Sequence, residues 1–329
     1  MLRFTTQLCY STVLFAGLFA CSKRGCTDPL ASNYNPAAQK NNGNCVYTPG
    51  IQLIGDDTLH LPVGSEFIDE GAIAIVSALA RNSALKIFDM NTNISITSAG
   101  WIRCFRQLLD SEISLELLFV GNNNIDDDGA LLLVKSLVPC TSLKVLDMKN
   151  NVSISATGWR AFFRSLMNAR SSAEGLFLDG NNIDDEGAAT LATALATNTS
   201  LTKLNMSKNT RITSRGLVAF FNLLLDNKKS ALETLVITNN NIDVEGMGWE
   251  DWDILSRALC DKTDIMSTFT SNHAFYSLGL DNLPDYENVW EEIYTLLELN
   301  NHFYDAARQK ILKYHFCNGR AGVHPLEIG

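Results

Sequence analysis

The sequence predicts an α/β solenoid: short strands forming a parallel sheet on a concave side, helices outside it, and a helical closure at the carboxyl end. Two observations carry this expectation. From about residue 58 onward, chemically matched residues recur with a near-constant period, Gly71, Gly129, Gly187 and Gly246 being separated by 58, 58 and 59 residues. Within each period the apolar spacing changes twice from alternation along a strand to the three-and-four spacing of a helix. A chain of 329 residues would ordinarily divide into about two globular domains, but a repeat array is not bound by that rule.

The amino terminus reads as an address. An apolar run from Leu8 to Ala20 follows a single basic residue, Arg3. It falls short of the about 20 residues a membrane-spanning helix needs and fits the apolar region of a secretory signal over residues 1–21. Leu18, Phe19, Ala20 and Cys21 also have the outline of a lipoprotein cleavage box, in which Cys21 would be lipidated and attach the chain to a membrane surface.

Residues 22–50 form a second segment. Cys26 and Cys45 bracket a polar stretch with no apolar periodicity, so a disulfide between them would supply the staple that a core does not. Closing such a loop is worth about 3 kcal/mol in the chain-entropy estimate. Cys26, Asp28, Pro29, Ala31, Asn33, Tyr34, Asn35, Pro36, Gly43 and Cys45 resemble a small Cys-bounded module of surface and secreted proteins. Where that module carries acidic residues before its glycine, this chain has Asn41 and Asn42, so the resemblance implies a stapled spacer and no cation site.

The repeats occupy residues 51–283. Leu85, Phe88, Met90, Asn93 and Ile96 recur as Leu143, Leu146, Met148, Asn151 and Ile154, and again as Leu201, Leu204, Met206, Asn209 and Ile212. A second series interleaves: Leu118, Val120, Asn123 and Ile125 match Leu176, Leu178, Asn181 and Ile183, then Leu235, Ile237, Asn240 and Ile242. The helix of one series buries small side chains such as Ala130, Leu133 and Val134, whereas the other buries Trp101 and Phe105 or Trp159 and Phe163. No single unit hides such a face, so neighbours must stack and share one core. The alternation resembles the ribonuclease-inhibitor-like class of leucine-rich repeats, and that resemblance implies a horseshoe-shaped solenoid with a parallel concave sheet and convex helices. The first unit is expected to be degenerate, with His60, Pro62 and Ser65 at regular positions, and Phe275, Leu278 and Leu280 to form a terminal imitation. Val289 to Leu299 and Phe303 to Phe316 read as two helices of a cap over residues 284–316, and 317–329 as a loose tail.

The side chains that invite chemistry have structural readings. Asp126, Asp127 and Asp128, like Asp184, Asp185 and Glu186, stand where helices begin, where carboxylates cap free amides and complement the dipole, so no metal site is expected. Asn93, Asn123, Asn151, Asn181, Asn209 and Asn240 are the expected inward ladder, bonding the backbone of adjacent turns. Asn93 and Asn151 are also formal glycosylation sequons, but Asn198, at a helix exit, is the better acceptor. The five histidines lie at the two ends without ligand spacing, Cys104 occupies an aromatic position of later copies, and no phosphate loop or nucleophile elbow occurs. Catalysis, a cofactor and a small-molecule substrate are therefore not expected. The formal charge of −10, from 26 Lys and Arg against 36 Asp and Glu, argues against nucleic acid.

What remains is the concave face. Its central row reads Asp89, Phe119, Asp147, Phe177, Asn205, Val236, and the row beside it includes Lys149 and Asp179. Aromatic anchors among polar groups fit a protein or peptide partner. The expectation is an exported, secreted or cell-surface, non-catalytic recognition protein. Two alternatives stand beside it: a cytoplasmic GTPase-activating regulator, if the amino terminus is not a signal, and a cell-surface adhesive protein acting through the Cys-bounded module.

Overall fold

The computed structural model describes residues 24–25, 40–41, 52–53, 58–60, 68–79, 85–109, 114–137, 140–166, 173–196, 198–224, 230–244, 246–269, 271, 273–280, 287–302 and 305–316. The expected signal over 1–21, Cys21, Cys26, Cys45 and the tail 317–329 lie outside these residues. The chain divides into two compact units, Met1–Ala173 and Glu174–Gly329.

In the first unit, β1 (Arg24–Gly25) pairs parallel with β2 (Lys40–Asn41). A separate sheet begins with β3 (Gln52–Leu53), antiparallel to β4 (Thr58–His60), and continues in parallel through β5 (Ile87–Asp89), β6 (Leu117–Phe119) and β7 (Val145–Asp147). Between the strands run α1 (Asp69–Leu79), α2 (Ser98–Leu109) and α3 (Asp127–Leu137), and α4 (Ala156–Leu166) follows β7. Each helix packs on the next, so the faces that no single unit could hide are shared. The strands are only three residues long, and the central residue of each points into the core: Phe88, Leu118 and Leu146 lie in one register and are buried. Trp101 stacks on Phe105 and Trp159 on Phe163, with ring centroids 5.4 and 5.6 Å apart.

The second unit repeats the pattern. Its parallel strands are β8 (Gly175–Phe177), β9 (Lys203–Asn205), β10 (Thr234–Val236) and β11 (Ser277–Gly279). The helices α5 (Asp185–Leu195), α6 (Ser214–Leu224) and α7 (Trp249–Leu259) pack in succession. Then α8 (Ile265–Phe269) precedes β11, whose Leu278 stands in register with Leu235. Beyond it, α9 (Glu287–His302) packs on α7, and α10 (Ala306–Ile311) packs on α8 and α9 and runs into a π-helical turn, Leu312–Phe316.

One expectation about the first unit is corrected. Counting back a whole period from Leu118 lands on His60, but β4 pairs with β5 so that Leu59 faces Phe88 and His60 faces Asp89. The unit is offset by one residue, and an apolar residue holds its central strand position after all.

Each of the strands β5 to β10 leaves through a turn whose third residue is left-handed: Thr92, Asn122, Asn150, Gly180, Lys208 and Asn239, with φ between 51° and 70°. Asn and Gly accept this region cheaply, which explains four of the six occupants.

Candidate functional site

The face of each sheet turned away from the helices carries the predicted row. In the first unit Asp89, Phe119 and Asp147 lie side by side in register. Phe119 and Asp89 are half-buried, while Asp147 is only 5% exposed. The polar members are occupied with their own backbone. Asp89 Oδ1 accepts the Asn91 N–H at 2.9 Å, Asp147 Oδ1 accepts the Lys149 N–H at 2.9 Å, and Lys149 Nζ lies 2.9 Å from Asp147 Oδ2. In the second unit Asn205 Oδ1 accepts the Ser207 N–H at 3.0 Å and its hydroxyl at 2.8 Å, and Asn205 Nδ2 donates to Asp179 Oδ1 at 3.1 Å. These three positions brace the strand exit as Asx turns. Phe119 in the first unit, and Phe177 and Val236 in the second, do no such bracing and stand half-exposed. Gly121, in the flanking row, is held small by crowding: a Cβ there would lie 2.8 Å from Lys149 Cγ and 3.0 Å from Asn91 Oδ1.

Beneath the strand exits the six asparagines meet the backbone. Asn93 Nδ2 donates to Met90 O at 3.0 Å, Asn123 Nδ2 to Met90 O and Val120 O at 2.9 Å each, and Asn151 Nδ2 to Val120 O and Met148 O at 3.0 Å each. In the second unit Asn181 Nδ2 donates to Leu178 O at 2.9 Å, Asn209 Nδ2 to Leu178 O at 3.0 Å and Met206 O at 2.9 Å, and Asn240 Nδ2 to Met206 O at 3.2 Å. Each amide bonds carbonyls of its own repeat, of the one before it, or of both. Asn198 is half-buried and closes its own turn, its Oδ1 accepting Ser200 N–H at 3.0 Å and Leu201 N–H at 2.8 Å.

Two exposed groups escaped the sequence reading. Ile94 and Val152, each 62% exposed, sit at matching exits of β5 and β7, and Trp249 at the start of α7 is 73% exposed. Nothing in the periodicity marks them, because they occupy the variable positions of the repeat. Among the described residues no group of three or more His, Cys, Asp or Glu side chains is arranged to hold a metal ion, and no helix is long and apolar enough to cross a membrane.

A family model described as Leucine Rich repeat matches residues 176–192 and 197–221, which run from β8 into α6. The matched units, from β8 to α6, are leucine-rich repeats. The fold class is accordingly α/β, a leucine-rich-repeat solenoid. No curated protein matches the chain. Among solved structures, actin-binding site 2 of leiomodin-1 aligns at 24% identity over 56% of this chain and 94% of that one, with a TM-score of 0.42. The tropomodulin carboxyl-terminal domain of Caenorhabditis elegans aligns at 18% identity over 57% and 98%, with a TM-score of 0.42. An internalin of Listeria monocytogenes aligns at 13% identity over 72% and 84%, with a TM-score of 0.20.

Proposed function

We propose that this leucine-rich-repeat protein is an exported, non-catalytic recognition protein of the ribonuclease-inhibitor-like class, which binds a protein or peptide on the sheet face turned away from its helices. The observation that carries the reading is the state of the central row. Asp89, Asp147 and Asn205 are committed to their own turns, whereas Phe119, Phe177 and Val236 offer apolar surface that nothing in their own turns requires. Half-exposed aromatics fixed on short rigid strands lose little conformational freedom on binding, which suits them as anchors. The interleaved repeat lengths support the class: strand centres Phe88, Leu118 and Leu146 are spaced first by 30 residues and then by 28. Export rests on the apolar run before Cys21 and on the Cys26 to Cys45 module.

The test is a cross-linking capture from the native source with purified residues 22–329, beside a Phe119→Asp, Phe177→Asp variant shown by circular dichroism to fold. The same partner captured by the unmodified chain and lost from the variant supports the reading. Equal capture by both overturns the role of this face, and a mature chain that keeps residues 1–20 overturns export.

A further inference from the structure

The carboxyl end of the second unit is closed by a polar cluster that uses no repeat position. Lys310 on α10 is fully buried, its Nζ donating to Leu259 O, at the end of α7, at 2.7 Å. The same Nζ lies 3.2 Å from His273 Nδ1, and His273 Nε2 lies 3.1 Å from Phe269 O, at the end of α8. A carbonyl oxygen only accepts, so Nε2 carries the ring hydrogen. Nδ1 is then the bare nitrogen and accepts from the ammonium. Burial lowers Lys310 to about 8, and below that, while it is an ammonium, the contact exists in one protonation state, with the imidazole neutral. A proton on Nδ1 would set a second N–H and a second positive charge against a buried ammonium. Because His273 is half-buried, not sealed, solvent protons reach it.

Other charged and titratable groups stand on the elements packed around this pair. From the end of α7 come the buried Cys260 thiol, Asp261 and Lys262, the last paired with Glu292 of α9 and lying 5.0 Å from the Tyr314 ring centroid. Asp264 precedes α8, and Asp305 precedes α10, where it accepts the Arg308 N–H at 3.2 Å. Burial and Lys310 push His273 below the ordinary imidazole range, against the opposing pull of the Phe269 carbonyl and Asp305. His315 behaves differently. The Thr268 hydroxyl donates to Asp261 O at 2.8 Å, so it accepts from His315 Nε2, also at 2.8 Å, and that Nε2–H is present whether the ring is neutral or charged.

We propose that His273 and Lys310 form an acid-released latch, in which protonation of His273 frees α10 and the π-helical turn from α7 and α8. In the open form His273 titrates at its ordinary value of about 6.5, and in the closed form lower. Closure is therefore complete above about 6.5 and is lost as pH falls below it towards the depressed value. Within that window each unit of pH weakens closure about tenfold, as one proton taken up on opening requires.

Hydrogen exchange on the full-length chain, corrected for the intrinsic pH dependence of exchange, tests this. Amides of residues 306–316 keep their protection from about pH 7.5 to about pH 6.5 and lose it, by up to about tenfold per unit, as pH falls further towards about 5, while those of α2 do not change. His273→Gln keeps an acceptor for Lys310 and a donor for Phe269 O without a titrating ring, so its cap stays protected at both pH values. His315→Gln retains the wild-type response. Equal protection of the wild-type cap at both pH values overturns the latch, as does a His273→Gln cap that opens like wild type. Should the variant not fold, histidine ring signals of the wild type decide: uptake at His273 above its ordinary range, or without a coincident change at α10, overturns the proposal.

Discussion

The Asp127 carboxylate holds the Ser155 backbone N–H at 2.7 Å and the Ser155 hydroxyl at 2.6 Å across a separation of 28 residues. The Ser155 hydroxyl in turn accepts the Gly158 N–H at 3.1 Å and so caps α4. One carboxylate of a repeat thus orients the helix cap of the next. The arrangement recurs at Asp69 with Thr97 and at Asp185 with Thr213. The neighbouring Asp126 and Asp184 perform the ordinary task, capping their own helices at Gly129 and Gly187. The acidic clusters therefore split between two duties, one inside a repeat and one between repeats.

A double-mutant cycle isolates this clasp. Asp127→Ala removes two charge-assisted bonds and is expected to cost about 2 kcal/mol in urea denaturation. Gly158→Ala places a Cβ 2.1 Å from Asp127 Oδ1, so it displaces the same carboxylate and costs a similar amount. In the Asp127→Ala background the obstruction is gone, and the better helix propensity of Ala gives back about 0.5–1 kcal/mol. Strictly additive effects would show that Gly158 is small for another reason.

The strand centres were legible because each is an apolar residue recurring at fixed distance: Leu146 and Leu204 could be placed from spacing alone. The duty of Asp127 was not, since its neighbour Asp126 has the same chemistry and only geometry separates a carboxylate that caps its own helix from one that reaches the next. Leu59 was hidden by a one-residue offset at the first repeat. The bracing of Asp147 was hidden by alternation, which says that a side chain leaves the core but not what it then bonds. His273 and Lys310 obey no period at all. Their meeting depends on how α10 returns to α7 and α8, which pair spacing does not encode.

Thr92 occupies the left-handed turn position that its counterparts Asn122 and Asn150 fill, with φ of 60°. A β-branched residue pays there for contact between its side chain and its own backbone. Thr92→Asn is expected to stabilise the chain by about 1 kcal/mol, which raises the thermal midpoint by a few degrees. An unchanged or lowered midpoint would mean that the Thr92 side chain makes a compensating contact.

Asn209 is fully buried and satisfies four backbone groups, donating to Leu178, Met206 and Ser207 carbonyls and accepting the Ile183 N–H at 3.1 Å. Asn209→Ala leaves all of them without this partner in a place water does not reach, so a loss of about 3 kcal/mol is expected, against near zero for the exposed Asn222→Ala on the helix face. Chemical denaturation of the two variants side by side measures the contrast. Similar losses would deny the ladder its role.

Burial grades the thiols of the described residues. It pushes Cys104, packed between α1 and α3 on the inner face of α2, up to about 12, with the Asp69 charge adding to the rise. Cys260 is also raised by burial, opposed by Lys310 and Lys262, while Cys140 is half-buried. The thiolate is the nucleophile, so at about pH 8 only about one part in ten thousand of Cys104 is reactive, and its burial restricts access further. Brief treatment of the native chain with iodoacetamide should therefore label Cys140 and spare Cys104 and Cys260, as read residue by residue by mass spectrometry. Labelling of Cys104 at a rate matching Cys140 would mean that α2 leaves the core often enough to expose it, which its place between two packed helices forbids. Labelling of Cys260 alone among the buried pair would locate the opening at the carboxyl-terminal cap, where the thiol lies near Lys310 of α10.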